Sequence, residues 1–313
     1  MHTPDAQGQL PDFLIIGAAR AGTTSLYEYL RQHPDIFMPE RKEPHFFTFM
    51  NESPTFTGLY DYQMWARLLV TDPAAYRALF AGQDDKICGE ASTNYLYYHE
   101  RTAPRIQEFV PQMKLIIILR NPVERAFSAY QQRRANYRDP LSFVEALAAE
   151  RGRIAAGWGA GAHYVRGGFY HAALTHYFER FPESQRRVYL YEADFLRHRA
   201  DMLRDIFVFL GVAPDADIDM TGQYNASHEL RHPALRFSHR VLLYTNLQGH
   251  LQHLLPAPIY NGLRERMYAL RRADAVKATF PEVLRGELIE IFRNDILQTQ
   301  ALIERDLSAW LSV

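Results

Sequence analysis

The stretch Phe13–Leu30, FLIIGAARAGTTSLYEYL, constrains the fold of this chain more than any other. Phe13–Ile16 is a short apolar run bounded by turn residues, the pattern of a buried strand. Gly17 to Gly22 is a tight turn of small residues in which Arg20 is the only basic one. Gly22-Thr23-Thr24-Ser25 opens a helix, Leu26 and Leu30 fall on one face of it, and His33-Pro34 ends it. The same order of strand and helix recurs. Ile36–Met38, Lys86–Ala91, Lys114–Leu119 and Arg187–Tyr191 read as strands. Pro73–Phe80, Ala103–Val110, Phe169–Phe181 and Ala200–Leu210, stopped by Gly211, read as helices. Leu115–Leu119 is apolar without a break, as in a strand covered on both faces of a parallel sheet. Asn121-Pro122 then caps a helix whose face carries Val123, Ala126, Phe127 and Tyr130. This alternation predicts an α/β fold: a doubly wound, mainly parallel sheet flanked by helices.

The whole chain, 1–313, is expected to be one domain, with residues 1–11 a flexible N-terminus and about 233–313 a helical C-terminal part. The glycine-rich stretch Arg151–Gly168 reads as a loop and a candidate mobile lid. Ligands of such sheets sit at the carboxyl ends of the strands.

Charge and cysteine content narrow the partners. A formal net charge of −1 and a pI of about 6.9 give no general attraction to nucleic acid or to a membrane surface, so any basic site must be local. Cys88 is the single cysteine, which excludes an intramolecular disulfide and a metal site of several cysteines. The N-terminal MHTPDAQGQLPDF is polar, and the apolar runs fall far short of the roughly 20 residues of a membrane span. The expectation is a soluble, cytoplasmic protein with no signal peptide or anchor.

Two blocks carry an anion-binding pattern. In Gly17-Ala-Ala-Arg20-Ala21-Gly22-Thr23-Thr24-Ser25, a strand–turn–helix junction aims backbone N–H groups at one place. The glycine spacing is that of a phosphate loop, but Thr23 stands where a triphosphate enzyme needs lysine. In LIIILRNPVERAFSAYQQRR, Arg120 ends a strand and Ser128 follows eight residues later, a pair able to clamp a second phosphate. Arg120 also occupies the strand end where a kinase would place its metal-binding carboxylate. A nucleotide-dependent kinase is therefore the weaker reading, and a metal-free site for a donor with two anionic ends the stronger.

Together these blocks resemble the sulfotransferases that use 3′-phosphoadenylyl sulfate (PAPS), over about residues 12–135. RKEPHFF, Arg41–Phe47, is similar to the heparan sulfate and carbohydrate branch. The resemblance implies a P-loop-type fold, PAPS as donor, no metal, and transfer of a sulfuryl group to a hydroxyl or amine. A carbohydrate or glycolipid acceptor is favoured over a hydroxylated small molecule or lipid. It also implies roles. Arg20, Ala21, Gly22, Thr23, Thr24 and Ser25 hold the 5′-phosphosulfate, and Arg20 neutralises the leaving phosphate. Arg120 and Ser128 hold the 3′-phosphate, and Arg231 supplies charge from a late loop. Glu43 is the base, its pKa expected to be raised by partial burial. His45 orients the acceptor or shares the proton, and His99 remains an alternative base. Lys42, Thr93 and Asn94 contact the acceptor. GEASTNYLY, Gly89–Tyr97, resembles a block that lines the acceptor cleft, except that Ala91 replaces the family lysine. Gly167-Gly168-Phe169-Tyr170 resembles a block that opens a helix.

Overall fold

Continuous apolar runs form the middle of the sheet. In the computed structural model, which describes residues 9–58, 61, 65, 68–222, 229–230, 275–276 and 279–313, the strand Phe13–Gly17 (β1) is buried along its whole length. It lies between Ile87–Ala91 (β3) and Lys114–Leu119 (β4). Ile36–Phe37 (β2) and Arg186–Leu190 (β5) are the edges, giving the order β2-β3-β1-β4-β5 with every pair parallel. The expected doubly wound sheet is thus present. Gly89 of β3 is required by packing: a Cβ there would lie 2.1 Å from the Phe13 ring.

From β1 the chain crosses to β2 through the helix Thr23–Leu30 (α1), whereas from β4 it crosses the other way to β5. The carboxyl ends of β1 and β4 therefore flank the switch point, where a doubly wound sheet opens a crevice. Ala18 N donates to Ile118 O at 2.6 Å and locks the two ends together.

The short helices Phe46–Phe49 (α2), Pro73–Ala78 (α3) and Asn94–Tyr97 (α4) precede the helix His99–Phe109 (α5), which starts four residues earlier than the pattern indicates. After β4, Pro122–Ala135 (α6) is capped by the Asn121 side chain, which accepts from Val123 N and Glu124 N. Phe143–Ala155 (α7) begins with a Ser142–Glu145 capping box. His171–Phe178 (α8) and Arg199–Leu210 (α9) bracket β5, and Gly211 ends α9 at φ 85°. Val283–Ile303 (α10) packs on α8 and α6, and its Asp295 carboxylate accepts from Tyr170 N and His171 N at the start of α8. Residues 229–230 and 275–276 form a two-stranded antiparallel pair. No helix among the described residues is long and apolar enough to cross a membrane.

Candidate active site

The turn after β1 is shaped to present backbone donors. Arg20 (φ 72°) and Gly22 (φ 85°) are both left-handed, which curls the chain around a concave face of N–H groups. Glycine adopts this freely, whereas Arg20 costs about 1–3 kcal/mol there. A Cβ on Gly22 would lie 3.1 Å from the rings of Tyr191 and Phe195, so the turn rests on the segment that leaves β5. The first donor inside α1 is Leu26 N, onto Gly22 O at 3.0 Å. N–H groups ahead of it find no carbonyl within the helix and carry its positive end.

The second expected anion site meets this turn directly. Arg120, just beyond β4, donates from Nη1 to Arg20 O at 2.8 Å, and Arg20 Nε donates to Ser128 Oγ at 3.1 Å. The Arg120 guanidinium lies 4.8 Å from the Tyr191 ring centroid, and its Nε is buried without a hydrogen-bond partner. Burial, then the charges of Arg120 and Arg125, push the Arg20 pKa down to about 10. Cations this close repel one another, and an anion placed among them relieves both the repulsion and the desolvation.

Beside the turn opens a cavity of about 750 Å³, a size common for ligand sites. It runs from Ala18–Arg20 past Thr93, Asn94 and Tyr97 to Trp158 and Phe169. Phe49 and Phe56 add aromatic faces, and Arg125 and Arg166 add charge. His99 also lines it, with its pKa lowered to about 4 by burial and by His176.

Glu43 stands behind Thr93. Its carboxylate accepts from Thr93 N at 2.8 Å and from Thr93 Oγ1 at 3.2 Å. Lys42 Nζ donates to it at 2.7 Å, and His45 Nε2 lies 3.4 Å away. Glu43 and His45 both have left-handed backbones, φ 61° and 52°, and Glu43 N and His45 N are tied to Ala91 O and Ser92 Oγ. Lys42, Glu43, His45 and Thr93 thus form one cluster. Burial raises the Glu43 pKa, but Lys42, His45 and the Thr93 N–H outweigh it, and the net shift is downward. The expectation of a raised pKa is corrected: the ion pair and hydrogen bonds hold Glu43 as carboxylate. His45 is driven by burial to about 4 and is neutral.

Residues 11–217 match the model of the Sulfotransferase family. The chain belongs to that family. It is 35% identical over 197 residues to human heparan sulfate glucosamine 3-O-sulfotransferase 6, covering 59% of this chain and 50% of that protein. It is 35% identical over 164 residues to mouse carbohydrate sulfotransferase 15, covering 41% of this chain and 29% of that one. The chain thus spans half or less of these curated relatives. A sulfotransferase structure from Alicyclobacillus acidocaldarius superposes with a TM-score of 0.74 at 34% identity, over 97% of this chain and 100% of that one.

Several of the residues expected at the site stand where the sequence pattern put them in the sheet, and others do not. Arg20, Arg120 and Ser128 come together, and Thr93 and Asn94 line the cavity. Glu90, Ala91 and Tyr95, expected at the cleft, are fully buried. The Tyr76 and Tyr95 hydroxyls donate to Glu90 at 2.8 and 2.7 Å, and Ala91 is part of the core.

The candidate lid is also corrected. Residues 151–155 end α7, and 157–168 are a fastened wall. Tyr164 is fully buried and donates to Asp139 at 2.5 Å, while Glu150 accepts from Val165 N and Arg166 N. Tyr170 is buried, its hydroxyl donating to Arg120 O at 2.8 Å. Arg231 and most of 233–278 lie outside the described residues.

Sequence reasoning missed Arg125, Arg166 and Tyr191. Arg125 sits inside the quoted block, three residues before Ser128 and on the same helix face, and that spacing was its signal.

Proposed function

We propose that this sulfotransferase moves the sulfuryl group of PAPS onto a hydroxyl or amine of a carbohydrate or glycolipid. The observation that carries the donor assignment is the Arg20–Ser128 and Arg120–Arg20 bonding, which joins the phosphate-loop turn to the strand-end arginine a hundred residues away. Buried, unpartnered Nε atoms on Arg120 and Arg125 fit a ligand that is anionic at both ends.

In this reading, N–H groups from Ala21 to Ser25 hold the 5′-phosphate. Arg20 balances charge on the bridging oxygen as the S–O bond breaks, acting as an electrostatic group because arginine stays protonated at working pH. Arg120 and Ser128 bind the 3′-phosphate and fix the donor's position. The acceptor oxygen or nitrogen attacks sulfur and gives up its proton, and the bond pair to the bridging oxygen leaves with the phosphate.

Glu43 receives that proton. Thr93 bridges the distance: it lines the cavity, and its hydroxyl bonds the carboxylate. With its pKa held low, Glu43 is a weak base available across neutral pH, and positioning supplies more of the rate than basicity.

Rings of Phe49, Phe56, Tyr97 and Trp158 in the cavity give support to a second acceptor class, a hydroxylated aryl or lipid ring stacked between them. A panel of glycans, glycolipids and phenols incubated with donor labelled in sulfur separates the two. Labelled product is expected with a sugar and lost in Glu43→Gln. Full turnover of Glu43→Gln would move the base elsewhere, and no transfer to any acceptor would leave only a donor-binding protein.

A further inference from the structure

Arg125 is a buried cation to which no part of the donor has yet been assigned. It lies on α6 five residues after Arg120 and three before Ser128, and Ala129 and Gln132 continue its face along the cavity. The residue is 3% exposed. Its Nη2 donates to Tyr164 O, but its Nε is buried with no hydrogen-bond partner. No carboxylate among the described residues comes within ion-pair distance of it. Glu150 acts on it electrostatically but from beyond ion-pair distance, and its two oxygens accept from Val165 N and Arg166 N. The other groups felt by Arg125 are the Tyr170 and Tyr97 phenols and the positive Arg120. An uncompensated guanidinium out of water is costly unless a ligand supplies the negative charge.

Position decides which part of the ligand that is. Arg125 and Arg20 line the cavity at its turn end, while Arg120 does not. Gly167, which also lines the cavity, packs closely on the guanidinium: a Cβ there would lie 3.1 Å from Nη1 and Nη2. Arg125 therefore stands in the cavity wall between Gly167 and Arg20, close enough for its charge to lower the Arg20 pKa. With the 5′-phosphate seated on the turn, the group that projects past Arg20 into the cavity is the sulfuryl group. We propose that Arg125 binds the non-bridging oxygens of the transferring sulfuryl group and thereby distinguishes loaded donor from spent nucleotide. This rests on the PAPS reading above. The residue would stabilise charge on those oxygens through forked donors, which a lysine cannot reproduce.

The test needs no acceptor. Affinities of PAPS and of adenosine 3′,5′-bisphosphate are measured calorimetrically for the wild-type chain, Arg125→Met, Arg125→Lys and Gly167→Ala. Arg125→Met is expected to weaken PAPS about 10–100-fold, the loss of a charged hydrogen bond, with the bisphosphate changed less than about threefold. Arg125→Lys should fall between. Gly167→Ala, which keeps every charge but crowds the guanidinium, should lower PAPS affinity selectively and stands in if Arg125→Met does not fold. Equal losses for both nucleotides, or none for either, would overturn the assignment and leave Arg125 a strut for the Tyr164 carbonyl. If the wild-type chain bound neither nucleotide, the donor reading itself would fall, and this assignment with it.

Discussion

The two sides of the cavity treat buried arginine in opposite ways. On the far wall, Arg153 grips Asp139 through two bonds of 2.6 and 2.8 Å, and Arg133 meets Asp61 at 2.8 Å. All four side chains are nearly inaccessible, and Trp158 packs over both guanidinium groups. On the turn side, Arg120 and Arg125 have no carboxylate partner among the described residues, whereas a buried Nε without a partner is common to them and to Arg133. Arg133 and Arg153 are neutralised internally, whereas those at the switch point lack a carboxylate, as the proposed anion site requires. A third solution appears in the core, where Glu90 is buried between two phenols and burial pushes its pKa up to about 7. Burial there favours the protonated carboxyl, and no cation pairs with it among the described residues.

The largest expected effect is on the far wall. Asp139→Asn strands Arg153 and should cost about 3–5 kcal/mol in denaturant unfolding, whereas Arg125→Met, which loses only the bond to Tyr164 O, should cost about 1–2 kcal/mol without ligand. Equal destabilisation by both would erase the contrast.

The next effect reverses the sides. Arg120→Met should weaken adenosine 3′,5′-bisphosphate by about 10–100-fold in calorimetry, while Arg133→Met lowers stability and leaves the affinity of the folded protein alone.

The pH dependence follows from the shifts. The Glu43 pKa is lowered and His45 lies at about 4, so neither titrates between about pH 5.5 and 8. Turnover should show no acid limb there, and one centred near pH 6.5 would point to another base.

The smallest effect concerns Glu90. Its folded pKa is raised, so the folded state binds the extra proton, and stability should decline as pH rises from about 4.5 to about 7. Unfolding titrations of Glu90→Gln should lack that slope.

The sheet and the turn were legible in the sequence because they rest on local signals: unbroken apolar runs, glycine spacing and a strand-end arginine. Arg20, Arg120 and Ser128 could be paired because a parallel sheet brings strand ends together. What stayed hidden depends on contacts distant in the chain. The lowered Glu43 pKa comes from Lys42, His45 and Thr93 acting together against burial, and composition gave only the burial. Glycines between 151 and 168 suggested a mobile loop, but Asp139, Glu150 and Arg125 hold the segment in place. Position 91 lay within a recognisable block, yet its burial comes from the strand β3 it ends, which lies inside the sheet between β2 and β1.

The central claim is that the switch-point arginines await a two-ended anion without metal. Heating curves of the wild-type chain with adenosine 3′,5′-bisphosphate in the presence of a chelator test this most directly. At a hundred times its dissociation constant the nucleotide adds about 2.7 kcal/mol, and Tm should rise by about 2 °C or more. No shift with the bisphosphate, together with a rise in Tm from ATP and magnesium, would contradict the account.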